Sequence, residues 1–270
     1  MAKRYTGFAP AKINLALHIK GQRADGYHLL DSLVAFADVG DSIICERADN
    51  MSLEVAGPRS AAVPSDSRNL MWKAAEGVGA KLAMTLEKRL PAQAGIGGGS
   101  SDAATVLRAC EALGFSVPAD LAVSLGADVP VCMLAQGARM RGIGEDITPV
   151  AFPELNALIV NPGVDVPTGQ IFATMQDKNN SPLEDLPKTD WLSWLARQRN
   201  DMQTAAIAHA PIIGELLEVL KCKKGVQVAR MSGSGATCFA LFEQFSEAED
   251  AAQKLQERYS DWWVVASKLT

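Results

Sequence analysis

PAQAGIGGGSSDAA, residues 91–104, sets four glycines and two serines directly ahead of a helical pattern. Gly95, Gly97, Gly98 and Gly99 permit positive φ and a close approach of backbone to ligand that any Cβ would obstruct. Ser100 or Ser101 reads as the N-cap, Asp102 falls in the first turn, and Ala103, Val106, Leu107, Cys110 and Leu113 recur at helical spacing until Gly114 closes the helix. Orphan N–H groups and the positive end of the helix dipole then face the space the glycines open, which is an anion site. A glycine–serine run can equally be a flexible connection. Here a strand-like run at 84–90 precedes it and an amphipathic helix follows, which is the setting of a phosphate loop. No Gly-Lys-Ser/Thr follows, Ser100 stands where a dinucleotide fingerprint needs its third glycine, and protein-kinase signatures are absent.

Outward from the loop, residues 11–19 alternate strictly. Ala11, Ile13, Leu15, Leu17 and Ile19 share one face, and Lys12, Asn14, Ala16 and His18 the other, which predicts a half-exposed strand projecting Lys12 and Asn14 together. Ala24-Asp25-Gly26 is a turn, with Tyr27 and His28 leading into an apolar run through Phe36. Strands are expected at 41–47 and 52–56, a helix at 69–83, and a short helix at 118–125 with Pro118 in its first turn and Gly126 ending it. Asp128 follows in Gly-Ala-Asp-Val-Pro. Such an aspartate is commonly a turn former, but its apolar neighbours Val129, Val131, Cys132, Met133 and Leu134 set its carboxylate at the mouth of a buried segment.

The second half reads strand (157–161), helices (191–209, then 212–220), strand (226–230), strand (237–242), helix (248–259), strand (263–267). That is βαββαβ, the ferredoxin-like split unit with an enlarged helical insertion. Residues 176–190 are polar and proline-broken and read as a loop, and Met231–Thr237 is a second glycine turn of no assigned chemistry. The domain boundary is placed near Val150, giving domains 1–150 and 151–270.

The 270 residues, 48% hydrophobic and 21% charged, describe an ordinary globular chain. A net charge of −5 argues against a general affinity for nucleic acid. Five separated cysteines without CxxC indicate neither a disulfide framework nor a zinc site, and suit a reducing cytoplasm. No apolar run of membrane-spanning length is present, so neither export nor membrane insertion is expected.

The loop resembles the central phosphate-binding motif of the GHMP kinases, the relatives of galactokinase, homoserine kinase, mevalonate kinase and phosphomevalonate kinase. PAKINLAL (10–17), DGYHLL (25–30), LGADVP (125–130) and MSGSGATCFALF (231–242) match the same family in the same order. The resemblance implies a two-domain α+β fold, with a ribosomal protein S5 domain 2-like N-terminal part and a ferredoxin-like C-terminal part. It implies ATP as phosphoryl donor with Mg²⁺, Lys12 and Asp128 as catalytic groups, and an ATP site from Pro91, Ala92, Gln93, Ala94, Gly95, Ile96, Gly97, Gly98, Gly99, Ser100 and Ser101. Asn69 would lie near adenine and Lys88 just before the loop. Asn14, Tyr27, His28, Thr168 and Phe172 would bind a cytidine diphosphate-linked methylerythritol, with His28 at the cytosine edge and Phe172 against its face. No residue is assigned to the metal, since no glutamate has a matching context. The expected reaction is phosphorylation of that substrate's 2-hydroxyl in non-mevalonate isoprenoid synthesis, by a cytoplasmic monomer or homodimer. A kinase of another small alcohol would not need Tyr27-His28, and an inert sensor on this fold would be expected to lack Lys12 or Asp128.

Overall fold

The computed structural model describes residues 3–270. Its elements are β1 (Arg4–Gln22), β2 (His28–Arg47), β3 (Ser52–Ala56), α1 (Leu70–Val78), β4 (Leu82–Glu87), α2 (Gly98–Ala112), α3 (Leu121–Leu125), α4 (Val129–Leu134), β5 (Ala138–Gly142), β6 (Asp146–Pro149), β7 (Leu155–Asn161), α5 (Thr168–Thr174), α6 (Trp191–Arg197), α7 (Gln203–His209), α8 (Ile212–Lys221), β8 (Val226–Met231), β9 (Cys238–Phe242), α9 (Phe245–Arg258) and β10 (Trp263–Leu269). Two compact units result, each discontinuous in sequence. The first holds residues 3–12, Val39–Ala92 and Gly97–Ala135, the second Ile13–Asp38, Gln93–Ile96 and Gln136–Thr270.

In the first unit β4 pairs in parallel with β3 and antiparallel with the second half of β2, from Ser42↔Glu87 to Arg47↔Leu82. Leu82, Met84 and Leu86 alternate inward along β4, as a sheet with one covered face requires. The helix expected over 69–83 stops early. Gly79 takes φ 72° and its N–H reaches Glu76 O while Ala80 N–H reaches Ala75 O, so the chain leaves the helix and enters β4 three residues later. α2 ends as read: Gly114 (φ 85°) donates to Glu111 O and Phe115 to Cys110 O. Its start differs. The N-cap is Gly97 in the left-handed region (φ 64°), without side-chain capping, so Ser100 and Ser101 lie inside the helix and Asp102 lies beyond the first turn, buried. Likewise α3 begins at Leu121, after Pro118, and the apolar segment behind Asp128 is itself a short helix, α4.

The second unit contains the βαββαβ order. Its strands run β10-β7-β9-β8, all antiparallel, with α5 to α8 inserted between β7 and β8 and α9 between β9 and β10. Leu158, Val160, Leu216, Leu220, Phe242 and Leu255 are central to the core these helices cover. The helix expected over 191–209 is broken into α6 and α7. Between them Leu17 N–H donates to Arg199 O and Asp201 N–H to Leu17 O, so 198–202 hydrogen-bonds alongside β1 instead of continuing the helical ladder. The 176–190 segment has no helix or strand, and Leu183 anchors it: its N–H donates to Asp31 Oδ2, and its carbonyl accepts from Arg139, which is paired with Asp31.

β1 departs from the alternating expectation: residues 9–19 are buried on both faces. Lys12, Asn14 and His18 are therefore interior polar groups, and each has to find partners within the fold.

Candidate active site

In the first unit, Lys12 is 3% exposed and its ammonium donates to Asp128 Oδ2 at 2.8 Å. Asp128 occupies the N-cap position of α4, a place where an aspartate ordinarily accepts from the helix's first amides. It makes no such cap. The carboxylate turns to a lysine 116 residues away, and its side chain stays 36% exposed. Gly97 packs over the same lysine: a Cβ built there would stand 3.2 Å from Lys12 Cβ. The loop's turn into α2 and the ammonium are thus held together by the absence of a side chain.

Lys88 is buried close by the start of α2. Its ammonium donates to Asp41 Oδ2 (2.5 Å) and Asp102 Oδ2 (2.7 Å), and lies 3.4 Å from where a Gly98 Cβ would be. Asp41 also accepts from the backbone N–H groups of Arg89 (2.6 Å) and Leu90 (2.9 Å). Asn69 caps α1, accepting from Met71 N–H and donating to Pro64 O. The polar atoms of Asn69 and Lys88 are accordingly engaged within the fold.

In the second unit Gly95 (φ 69°) is clasped by the Met231–Thr237 turn. A Cβ on Gly95 would meet Ser232 O at 2.6 Å and Gly235 O at 2.7 Å, so only glycine fits. Ser232 Oγ donates to Gly95 O, and Thr237 N–H to Ala94 O. Ser232 Oγ also accepts from Asn14 N–H (3.0 Å), while Asn14 Nδ2 donates to Ser32 Oγ (2.9 Å). This leaves Asn14 Oδ1 buried without a partner. The second glycine turn therefore does have a task, one that spacing alone did not reveal. Asn200 holds the turn in place through Nδ2 bonds to Met231 O and Gly233 O.

The same unit stacks His28 on Phe172, ring centroids 4.2 Å apart at 12°. Burial, with Lys178 adding, lowers the His28 pKa and favours the neutral imidazole, whose Nε2 has no protein partner. Tyr27 is 59% exposed. Thr168 Oγ1 lies 2.8 Å from Ser234 Oγ, and Phe172 also packs against the unit's core.

Two readings of the loop need correction. Only Gly95 and Gly97 among its glycines take positive φ; Gly98 and Gly99 are the first two residues of α2, where helical φ holds. The serines do not cap. Sequence reasoning also passed over Asp41, Ser32 and Asn200 and gave Ser232, inside the second glycine turn, no task; Asp41 follows Gly40 and Asn200 lies in the polar run 198–201, so no local pattern singles them out. Among the described residues no group of three or more His, Cys, Asp or Glu side chains could hold a metal.

The left-handed conformation makes Gly97→Val the informative loop variant, since a β-branched residue resists φ 64° and its Cβ presses on Lys12. The strain of roughly 1–2 kcal/mol predicts ATP binding weaker by about tenfold. Calorimetry showing unaltered ATP affinity would mean that the loop does not touch phosphate.

Residues 69–136 match the family model of the GHMP kinases N-terminal domain and residues 183–261 that of the GHMP kinases C-terminal domain. A 4-diphosphocytidyl-2-C-methyl-D-erythritol kinase of Dinoroseobacter shibae is 54% identical over 271 residues, spanning 97% of this chain and 94% of the relative. The chain belongs to the GHMP kinase family. Among solved GHMP kinases, a 4-(cytidine 5'-diphospho)-2C-methyl-D-erythritol kinase superimposes with TM-score 0.81 at 35% identity, covering 98% of this chain and 99% of the other. Homoserine kinase from Cytophaga hutchinsonii, at 17% identity, shares the GHMP kinase fold with TM-score 0.71, covering 99% and 95%. The α+β fold expected from the sequence is thus the one this GHMP kinase adopts.

Proposed function

We propose that this GHMP kinase transfers the γ-phosphoryl group of ATP to the 2-hydroxyl of 4-diphosphocytidyl-2-C-methyl-D-erythritol, giving the 2-phosphate and ADP. The observation that carries the reading is the Lys12–Asp128 pair at 2.8 Å beneath Gly97. Asp128 takes the proton from the acceptor hydroxyl, and Lys12, hydrogen-bonded to it, neutralises charge that spreads over the transferred group. Residues 91–101 cradle the triphosphate through backbone amides at the start of α2. Asn69 and Lys88 enter the nucleotide set by resemblance, their polar atoms being engaged in the fold. Mg²⁺ would supply further charge neutralisation at the phosphates when bound. It is commonly held by phosphate oxygens and water with few protein ligands.

The substrate's cytosine is assigned to Tyr27, His28 and Phe172, its hydroxylated chain to Asn14 and Thr168. Asn14 Oδ1 and His28 Nε2 support this, since buried polar atoms without partners are where a ligand's hydrogen bonds belong. The domains are taken as 1–150 for ATP binding and 151–270 as the C-terminal domain. Among the described residues no helix is long and apolar enough to cross a membrane. We place the enzyme in the cytoplasm, as monomer or homodimer, with neither nucleic acid nor membrane as partner, serving non-mevalonate isoprenoid precursor synthesis.

Base stacking on an aromatic ring contributes roughly 1–3 kcal/mol, so Phe172→Ala lowers kcat/KM for the cytidylyl substrate by about 5- to 150-fold, with ATP affinity unchanged. His28→Ala acts on choice instead: edge contacts separate an exocyclic amine from a carbonyl and stacking does not. An ADP-release assay comparing cytidine- and uridine-diphosphate substrates with simpler alcohols tests both. No preference for cytosine in the wild type, or a preference untouched by His28→Ala, would leave a general small-alcohol kinase as the better description.

A further inference from the structure

Behind the phosphate loop, the first unit buries two carboxylates against one ammonium. The side chains of Lys88, Asp41 and Asp102 are 4%, 0% and 5% exposed. With both carboxylates ionised the cluster holds an uncompensated negative charge out of water, directly behind the site that must accept a triphosphate. The surroundings do not offset it. The buried face of α1 is Met71, Ala74 and Ala75, without charge, and α4 presents Val129, Val131 and Cys132, whose thiol burial keeps protonated. Arg108, on α2 itself, is turned to Cys132 O, Met133 O and Thr105.

The two carboxylates are not equivalent. Asp41 accepts from Lys88 and from two backbone amides, three donors in all. Asp102 accepts from Lys88 alone, and its Oδ1 is buried with no partner. A proton entering the cluster therefore goes to Asp102. Burial pushes its carboxyl up to about 7, with Lys88 opposing and the charge of Asp41 adding to the rise. Lys88, between two carboxylates, stays an ammonium.

We propose that Asp102 is a proton-linked positioning residue: nucleotide binding at the loop is accompanied by proton uptake on Asp102, which makes the buried cluster neutral. This rests on the phosphate-binding reading of the loop. The proton removes a repulsive charge from behind the anion and leaves Lys88 balanced by Asp41 alone, so the field at the start of α2 is that of the free helix amides. The sign follows directly. Raising the pH through the range where Asp102 ionises weakens nucleotide binding, by at most about tenfold per pH unit for a single linked proton. Lowering it tightens binding until Asp102 is fully protonated.

The test is calorimetric titration of the enzyme with ADP and Mg²⁺ between about pH 6.5 and about pH 9, in buffers of different ionisation enthalpy, which counts protons taken up on binding. Wild type is expected to take up part of a proton in the upper range, with Kd rising alongside. Asp102→Asn, an uncharged side chain of the same size, should abolish the Asp102 share of that uptake and flatten Kd against pH. The difference between the two proteins subtracts the titration of the nucleotide itself. Asp41→Asn is the independent check, since with one carboxylate left Asp102 pairs with Lys88 as an anion and the uptake should again disappear. Equal uptake and parallel Kd profiles in wild type and either variant overturn the proposal while leaving the phosphate loop intact. If wild type binds no ADP at any pH, the loop reading falls and this proposal with it.

Discussion

Asp128→Asn is expected to lower kcat by about 10² to 10⁴, the usual contribution of a positioned general base. The substitution keeps an oxygen where Lys12 donates at 2.8 Å, so the hydrogen bond survives while the proton acceptor and the counter-charge are lost. Since the carboxylate is 36% exposed, water screens the loss, and the melting temperature should fall by no more than a few degrees. The comparison with capping is instructive. An aspartate conserving only the start of α4 would accept from that helix's amides, and Asp128 does not. Measurement of kcat at saturating ATP and acceptor, beside a melting curve, decides the matter. Near-normal kcat in a well-folded variant would reduce Asp128 to a turn residue and remove the proposed mechanism.

What could be read from the sequence was the part governed by local rules. The strand 52–56, the turn at Ala24-Asp25-Gly26, the closure of α2 at Gly114 and the βαββαβ order all follow from spacing, glycine conformation and period, and the structure has them where expected. The misreadings lie where distant parts of the chain decide. Strict alternation at 11–19 predicts an exposed polar face, yet Lys12 finds Asp128, Asn14 finds Ser32, and His18 Nδ1 lies 3.1 Å from Ser181 O, so the face is buried. Residues 191–209 read as helical throughout, and the backbone bonds between Leu17 and Arg199 and Asp201 interrupt them. Ser100 and Ser101 have the chemistry of caps, but Gly97, free to adopt the left-handed region, starts the helix earlier. The candidate site divides in the same way. Its glycine loop and the Lys12 and Asp128 positions were legible through motif resemblance, while Asp41, Ser232 and Asn200 act through contacts that no window of sequence contains.

Lys12→Met should separate charge from packing. Methionine has a comparable length and fills the buried channel along which the lysine stem runs beside Gly97, so the fold is expected to hold. What disappears is the ammonium. On the proposed mechanism it acts at the transferred group, where removing one preorganised donor lowers kcat by roughly 10² to 10³. ATP affinity should change little, because the phosphate contacts are assigned to the loop and the adenine contact to Asn69, not to this lysine. A further expectation concerns the pair. Lys12 and Asp128 are hydrogen-bonded and act on one proton and one phosphoryl group, so the double variant should be little slower than the worse of the two singles. Steady-state kinetics with a separate measurement of ATP binding distinguishes the outcomes. Fully additive losses would mean the two residues serve different steps. A selective loss of ATP binding with kcat preserved would move Lys12 from the reacting centre to the nucleotide, and the acceptor hydroxyl would then need another electrostatic partner.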